Sequence, residues 1–239
     1  MGFHVPSADA PYRLILSVSG VEKSGKTHFA LTAPEPIVYI DADLGSEGVV
    51  EPFIRAGKQV ISFPIRLEKN LAIGKASEVK ARYDPVWQDF KKKVATACKL
   101  GTGTIVIDTA TEMYELCRLA EFGKLTQVMQ RDYGPVNSEW REVIYGIFDS
   151  PLSCVLIHKL GDAWRDGKTT GALELKGFRD TPGLVQCSVR MARLPDSETG
   201  EPVYEAEVEN CRSNHRLTGT RLVGVLCDCS RLIKMVHKP

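Results

Sequence analysis

An apolar run at 13–20, RLILSVSG, passes without a break into Gly20, Val21, Glu22, Lys23, Ser24, Gly25, Lys26 and Thr27, and a helix-like run beginning at His28 follows. These residues fit the spacing G-x4-G-K-[ST] completely. Glycine at both ends of the turn lets backbone N–H groups face inward onto phosphate oxygens. Lys26 then reaches the β- and γ-phosphates of a nucleoside triphosphate, and the Thr27 hydroxyl is a magnesium ligand. Residues 20–28 are therefore the expected phosphate cradle. The motif constrains the fold as strongly as the chemistry, because it works only where a buried strand feeds a helix.

The chain goes on alternating strand and helix. IVYIDAD at 37–43 reads as a second buried strand, and VISFPI at 60–65 as a third. Residues 66–82 are polar and basic and read as a loop or short surface insertion. From 85 to 100 the pattern is helical, with Val86, Phe90, Val94 and Ala97 on one face. GTIVIDT at 103–109 is a strand, 110–125 a helix, 136–150 a helix capped by Asn137 or Ser138, and 153–159 a strand. Beyond about 160 the texture changes. Asp166-Gly167 is a hairpin dipeptide, and strands at 184–194 and 203–211 flank the turn-forming PDSETGEP. The fold class expected is α/β, a mostly parallel sheet flanked by helices, with antiparallel strands and hairpins at the C-terminal end. Residues 1–12, with Pro6 and Pro11, read as an arm. Residues 13–239 read as a single domain with a strand-rich extension from about 160.

Three further features carry chemistry. Asp108 ends an apolar strand about 80 residues after the phosphate turn, where a carboxylate holds magnesium through its water shell. It is equally placed to cap the helix that starts near Ala110. Asp41, Asp43 and Glu47 lie at and beyond the end of the second strand. A hydrolase needs such a carboxylate to orient or deprotonate the attacking water, whereas a solvated acidic loop has the same composition. His158 ends a buried strand at the crevice end of the sheet, where it is either a sensor of the γ-phosphate or a structural histidine.

Composition excludes little beyond this. The formal net charge of +1 over 239 residues gives no global basic bias toward nucleic acid, so DNA contact would be modest and steeply salt-sensitive. No apolar run approaches the ~18 residues of a membrane span. The N-terminus lacks the charged start and apolar block of a signal peptide, so a cytoplasmic location is expected, the host cytoplasm if the chain is phage-encoded. The seven cysteines are odd in number and mostly lie in apolar runs, as reduced buried thiols do. Cys211, His215, Cys227 and Cys229 form an alternative zinc set. Against it, Cys227 and Cys229 alternate like core residues of a strand.

Taken in order, GVEKSGKT, IVYIDADLGSEG, GTIVIDTATEMYEL, RDYGPVNSEWREVI and CVLIHK resemble a RecA-like P-loop ATPase core. The chain more closely resembles the small phage ATPases of the single-strand annealing and recombination group, phage nucleotide-binding proteins, over roughly 13–225. The resemblance implies ATP and Mg2+ as cofactors, and single-stranded DNA as partner. It implies a homo-oligomer, ring or filament, that works beside a single-strand-binding protein and not at a membrane. In RecA-like proteins the catalytic carboxylate is usually a Glu two residues after the Asp ending the second strand. Here that position is Asp43, with Glu47 the alternative. His158 falls at the polar sensor. Arg212 matches the arginine of a Lys-x-Arg finger inserted into a neighbour's site, with Asn210 in the lysine position. Loops at the strand ends imply DNA contact by Arg165, Lys168 and Lys176 beside Trp164, and by Lys124, Arg131 and Tyr133. Two other classes remain, a nucleotide-gated assembly or partner-loading switch with little turnover, and a small-molecule nucleotide kinase.

Overall fold

The continuous apolar runs form strands buried on both faces, and each polar residue at a run's end is delivered to one edge of the sheet. The computed structural model describes residues 13–67, 72–166, 168–195 and 200–237; the expected arm at 1–12 lies outside them. In chain order the elements are β1 (Ile15–Gly20), α1 (Lys26–Leu31), β2 (Ile37–Asp41), α2 (Val50–Arg55), β3 (Val60–Pro64), α3 (Ala76–Ala97), β4 (Thr104–Asp108), α4 (Ala110–Phe122), α5 (Gly134–Phe148), β5 (Ser153–His158), β6 (Leu160–Arg165), β7 (Lys168–Leu175), α6 (Thr181–Leu184), β8 (Cys187–Pro195), β9 (Pro202–Cys211), β10 (Arg221–Val223) and α7 (Cys229–Val236).

Eight strands make one sheet in the order β10-β9-β8-β1-β5-β4-β2-β3. The six from β8 to β3 are parallel, and β9 and β10 add an antiparallel edge beside β8. This is the α/β fold expected, a mostly parallel sheet flanked by helices, in which β5 separates the phosphate-loop strand from the strand that ends in Asp108. The tail differs in detail. Strand β8 rejoins the parallel sheet beside β1, and β6 with β7 forms a separate two-stranded hairpin.

One face of the sheet packs on α3, α4 and α5, and the other on α1 and α7. Helix α3 begins well inside the stretch expected to be a loop. Its buried Val79, Tyr83, Trp87, Phe90, Val94 and Ala97 recur at helical spacing, whereas Pro85 sits on the exposed face. The Trp140 ring of α5 stacks on Trp87 and Phe90 at 6.3 and 6.5 Å between centroids, which locks α3 to α5. Neither Asn137 nor Ser138 caps α5, whose N-cap is Tyr133; the Asn137 side chain instead accepts the Tyr114 hydroxyl at 2.7 Å.

Cys227 and Cys229, expected as strand residues, instead lie just before α7 and at its first position. Asp228 accepts the Arg231 N–H at 2.6 Å and starts the helix. The Cys229 N–H donates to Thr32 Oγ1 at 2.7 Å and Ser230 Oγ donates to the Thr32 carbonyl at 2.6 Å, so α7 ties down the end of the phosphate-loop helix. Among the described residues no three His, Cys, Asp or Glu side chains are placed to hold a metal ion, so Cys211, His215, Cys227 and Cys229 form no zinc site. Six cysteines are buried and Cys98 is half-buried, all as free thiols. No helix among the described residues is long and apolar enough to cross a membrane.

Candidate functional site

Strand register sets the site. Gly20 lies beside Met191, Ser19 beside His158, and Asp108 beside both Ile157 and Asp41. The carboxyl ends of β1, β2, β4 and β5 therefore share one level, which β8 overruns, and a cleft of about 920 Å³ opens there, with residues 20–28 along its floor.

The turn is built as the motif requires. Lys23 and Gly25 take positive φ values of 58° and 85°. A Cβ on Gly25 would lie 2.7 Å from the Tyr204 ring, and one on Gly20 would lie 2.5 Å from Ser24 Oγ and 2.7 Å from the Met191 carbonyl. Gly25 is thus fixed by conformation as well as by close approach, and Gly20 by close approach. Lys26 Nζ folds back to donate to the carbonyls of Gly20 at 3.0 Å and Val21 at 2.7 Å. Burial lowers its pKa, against the opposing pull of Asp108, Asp43 and Glu22.

Thr27 Oγ1 donates to Asp108 Oδ2 at 2.6 Å, and the Tyr39 hydroxyl donates to the same oxygen at 2.7 Å. Burial raises the Asp108 pKa while these two hydrogen bonds pull it down. The cap of α4 is Thr109, whose side chain accepts the Glu112 N–H at 3.1 Å, so Asp108 does not cap the helix. A hydroxyl and a carboxylate side by side are the hard oxygen donors that magnesium takes.

The three acids after β2 separate. Asp41 is buried, accepts the Ser46 hydroxyl with one oxygen and leaves Oδ1 without a partner. Asp43 lines the cleft, where its carboxylate sits 3.4 Å from Lys159 Nζ. Glu47 is exposed and stands outside the cleft.

His158 does not line the cleft. Strand alternation turns its ring to the α4 side, wholly buried, with Nδ1 3.4 Å from the Lys176 carbonyl and Nε2 without a partner. The next residue, Lys159, faces the cleft instead, and Glu112 holds its Nζ at 2.6 Å. Burial depresses the Lys159 pKa, but Glu112 and Asp43 outweigh it and the net shift is upward.

The residues expected to meet DNA divide as well. Arg165 and Lys168 are exposed on the β6–β7 hairpin beside Trp164, which is 63% exposed. Lys176 lines the cleft. Arg131 is exposed next to Asp132 at 3.7 Å, and Lys124 is exposed. Tyr133 is engaged in packing, its hydroxyl accepting from Arg118 at 2.8 Å and its ring against Phe122. Arg212 lies at the other end of the sheet. Its N–H donates to the Gln186 carbonyl, and the Gln186 N–H to the Ile15 carbonyl at the start of β1.

The sequence reading missed Lys159, Arg193 and Tyr204, which line the cleft, and Tyr39, which is buried beneath it against Asp108. Tyr39 shares its strand face with Asp41, a parity visible in IVYID. Arg193 and Tyr204 are register partners on β8 and β9 and reach the cleft only because that hairpin overhangs β1. No local pattern announces that contact.

No curated protein matches the chain. Two archaeal structures are similar to it. One is the KaiC-like protein PH0186 from Pyrococcus horikoshii OT3, with TM-score 0.43 and 10% identity, covering 88% of this chain and 84% of that one. The other is the flagellar accessory protein FlaH from Methanocaldococcus jannaschii, with TM-score 0.45 and 9% identity, covering 88% and 84%. A family model described as an AAA domain matches residues 13–179, well over half of the sequence, from the start of β1 through the phosphate loop, Asp108 and Lys159 to Lys176. On that match the chain belongs to the AAA-domain family.

Proposed function

We propose that this protein binds ATP with Mg2+ in the cleft, hydrolyses it, and uses the nucleotide state to control a homo-oligomer's grip on single-stranded DNA. The observation that carries the nucleotide reading is the complete phosphate loop with Thr27 and Asp108 in contact at 2.6 Å. Lys26, whose ammonium now rests on two loop carbonyls, would exchange them for phosphate oxygens. Thr27 and Asp108 would hold magnesium, which supplies charge neutralisation on the β- and γ-phosphates. Tyr39 fixes the Asp108 carboxylate. Asp43, the acid after β2 that reaches the cleft, would orient the attacking water.

The DNA part is supported by the β6–β7 hairpin, which presents Trp164, Arg165 and Lys168 to solvent. Thr111 joins the hairpin to the cleft by donating to the Lys176 carbonyl at 3.0 Å and accepting the Lys159 N–H at 3.0 Å. A role in recombination or annealing rests on the motif resemblance. Phosphate release by the magnesium-loaded protein, with and without single-stranded DNA, tests the reading. Lys26→Ala is expected to reduce release to background, and unchanged turnover in that variant would overturn the ATPase assignment.

One observation favours a second reading, a nucleotide-gated switch with little turnover. Asp43 is shorter than the usual glutamate and is already paired with Lys159. Tight nucleotide binding without DNA-stimulated phosphate release would select it.

A further inference from the structure

We propose that the cavity at the opposite end of the sheet, between α6 and the start of β8, is a second ligand site that takes the phosphate group of a free small molecule. The site lies apart from the cleft and does not rest on the nucleotide reading.

Strand pairing sets its chemistry. Cys187 lies opposite Cys211 and Ser188 opposite Asn210, and the Arg212 N–H donates to the Gln186 carbonyl at 2.8 Å. Both thiols belong to the core packed on α1 and α7, so alternation puts Gln186, Ser188, Asn210 and Arg212 on the other face. A β-bulge brings this about. The register shifts between Ser188 and Val189 and leaves Glu209 as the extra residue on β9. Continuing the pairing of Val189 with Val208 without a bulge would set Glu209 opposite Ser188 and Cys211 opposite Gln186. The bulge substitutes an amide and a guanidinium at those places, and Glu209 is turned to Arg190 at 2.7 Å.

The four polar residues line a cavity of about 380 Å³, with His215 also on its wall. Among the described residues no Asp or Glu lines it. Asp180, two residues before the wall at Pro182, is held by Arg141 at 2.6 Å. Among the described residues the Ser188 hydroxyl, the Asn210 amide and the Arg212 guanidinium have no hydrogen-bonding or ionic partner, although Ser188 is only 8% exposed. Gln186 accepts the Ile15 N–H at 2.9 Å through Oε1, which leaves its NH2 group to donate. Donors without an acid suit an anion and disfavour an amine. A tetrahedral phosphate presents oxygens in several directions and can meet donors from two strands, whereas a planar carboxylate matches the arginine fork alone. Among the described residues no aromatic ring lines the cavity, so the group held is not a stacked base.

The test is isothermal titration calorimetry on the full chain carrying Lys26→Ala, which disables the phosphate cradle, with glycerol 3-phosphate and with malonate as probes. Glycerol 3-phosphate should bind at one site per chain, and malonate about tenfold more weakly. Arg212→Gln removes the charged donor, and Asn210→Asp adds a carboxylate beside it. Each, added to Lys26→Ala, should weaken glycerol 3-phosphate about tenfold or more. Hydrogen exchange should show protection by the bound probe at 182–188 and 208–215. No binding to the Lys26→Ala chain, unchanged affinity in both added variants, equal affinity for malonate, or protection confined to 20–28 overturns the proposal. If Arg212→Gln does not fold by circular dichroism, Asn210→Asp decides, and unchanged affinity there overturns it. Because the cradle is disabled throughout, the result is independent of whether the cleft binds a nucleotide.

Discussion

The His158 ring is wholly enclosed between β5 and the first turn of α4, and burial holds its pKa down to about 4. The unfolded chain protonates near the ordinary histidine value, and the folded chain does not. The group's contribution to stability is therefore complete above about pH 6.5 and is lost as pH falls from there toward 4, by up to about 3 kcal/mol. Urea unfolding at pH 7 and at pH 4.5 should show this loss in the unsubstituted protein and a smaller loss in His158→Gln, which has no such titration. An equal loss in both would show that other groups carry the acid sensitivity. Burial has a different effect at Asp108. Desolvation alone would favour the neutral acid, but Thr27 and Tyr39 both donate to one oxygen and support the charged form. Burial is the larger effect and the net shift is upward, so the two hydroxyl groups offset part of the desolvation without adding a fixed cation that would compete with a metal.

Among the elements, the β6–β7 hairpin is set apart from the sheet and joined to the nucleotide cleft through Lys176 and Thr111. Trp164→Ala should weaken single-stranded DNA binding by about 1–3 kcal/mol, the worth of one stacked base. Arg165→Ala with Lys168→Ala should flatten the salt dependence, lowering its log–log slope by about 1.4 for two lost phosphate contacts. Fluorescence anisotropy with a labelled oligonucleotide at several salt concentrations checks both, and unaltered slopes would place the DNA surface elsewhere. The hairpin was legible in the sequence because the turn dipeptide at 166–167 falls between β6 and β7, Gly167 itself lying outside the described residues. The sheet was legible because buried parallel strands read as continuous apolar runs, and the phosphate turn and Asp108 because each sits at the end of such a run. Helix α3 was half-hidden, since its first two turns bury only Val79 and Tyr83 and expose lysine, arginine and acid elsewhere. Helix α7 was masked by two cysteines whose spacing also suits a strand. In the site, the one-residue difference between His158 and Lys159 depends on which face of β5 looks into the cleft. That parity is set by tertiary packing on α4, which a run of four apolar residues does not encode.

For the whole molecule, the two ends of the sheet carry different chemistry. The cleft lies at the level of Gly20, whereas Arg212 is level with Ile15, about 16 Å away along β1 at the rise of an extended strand. Arg212 is too far from its own phosphate turn to touch a nucleotide there. If it serves as a finger it acts on another copy, and a surface at one end of the sheet meeting a surface at the other is a head-to-tail contact, which closes into a ring or runs on as a filament. Two inactive variants then complement each other. Lys26→Ala has no working phosphate loop but an intact Arg212, and Arg212→Ala has the reverse. Random mixing in equal amounts places an intact loop against an intact arginine at about a quarter of the interfaces, so about a quarter of full turnover should return. Each variant alone should stay inactive, with nucleotide binding by the isolated Arg212→Ala chain unchanged. Phosphate release from the mixture, read alongside light scattering to confirm that the chains assemble, makes the measurement. Assembly without any recovered turnover would rule out Arg212 as a residue shared across the interface, and full activity in Arg212→Ala alone would remove it from the catalytic cycle.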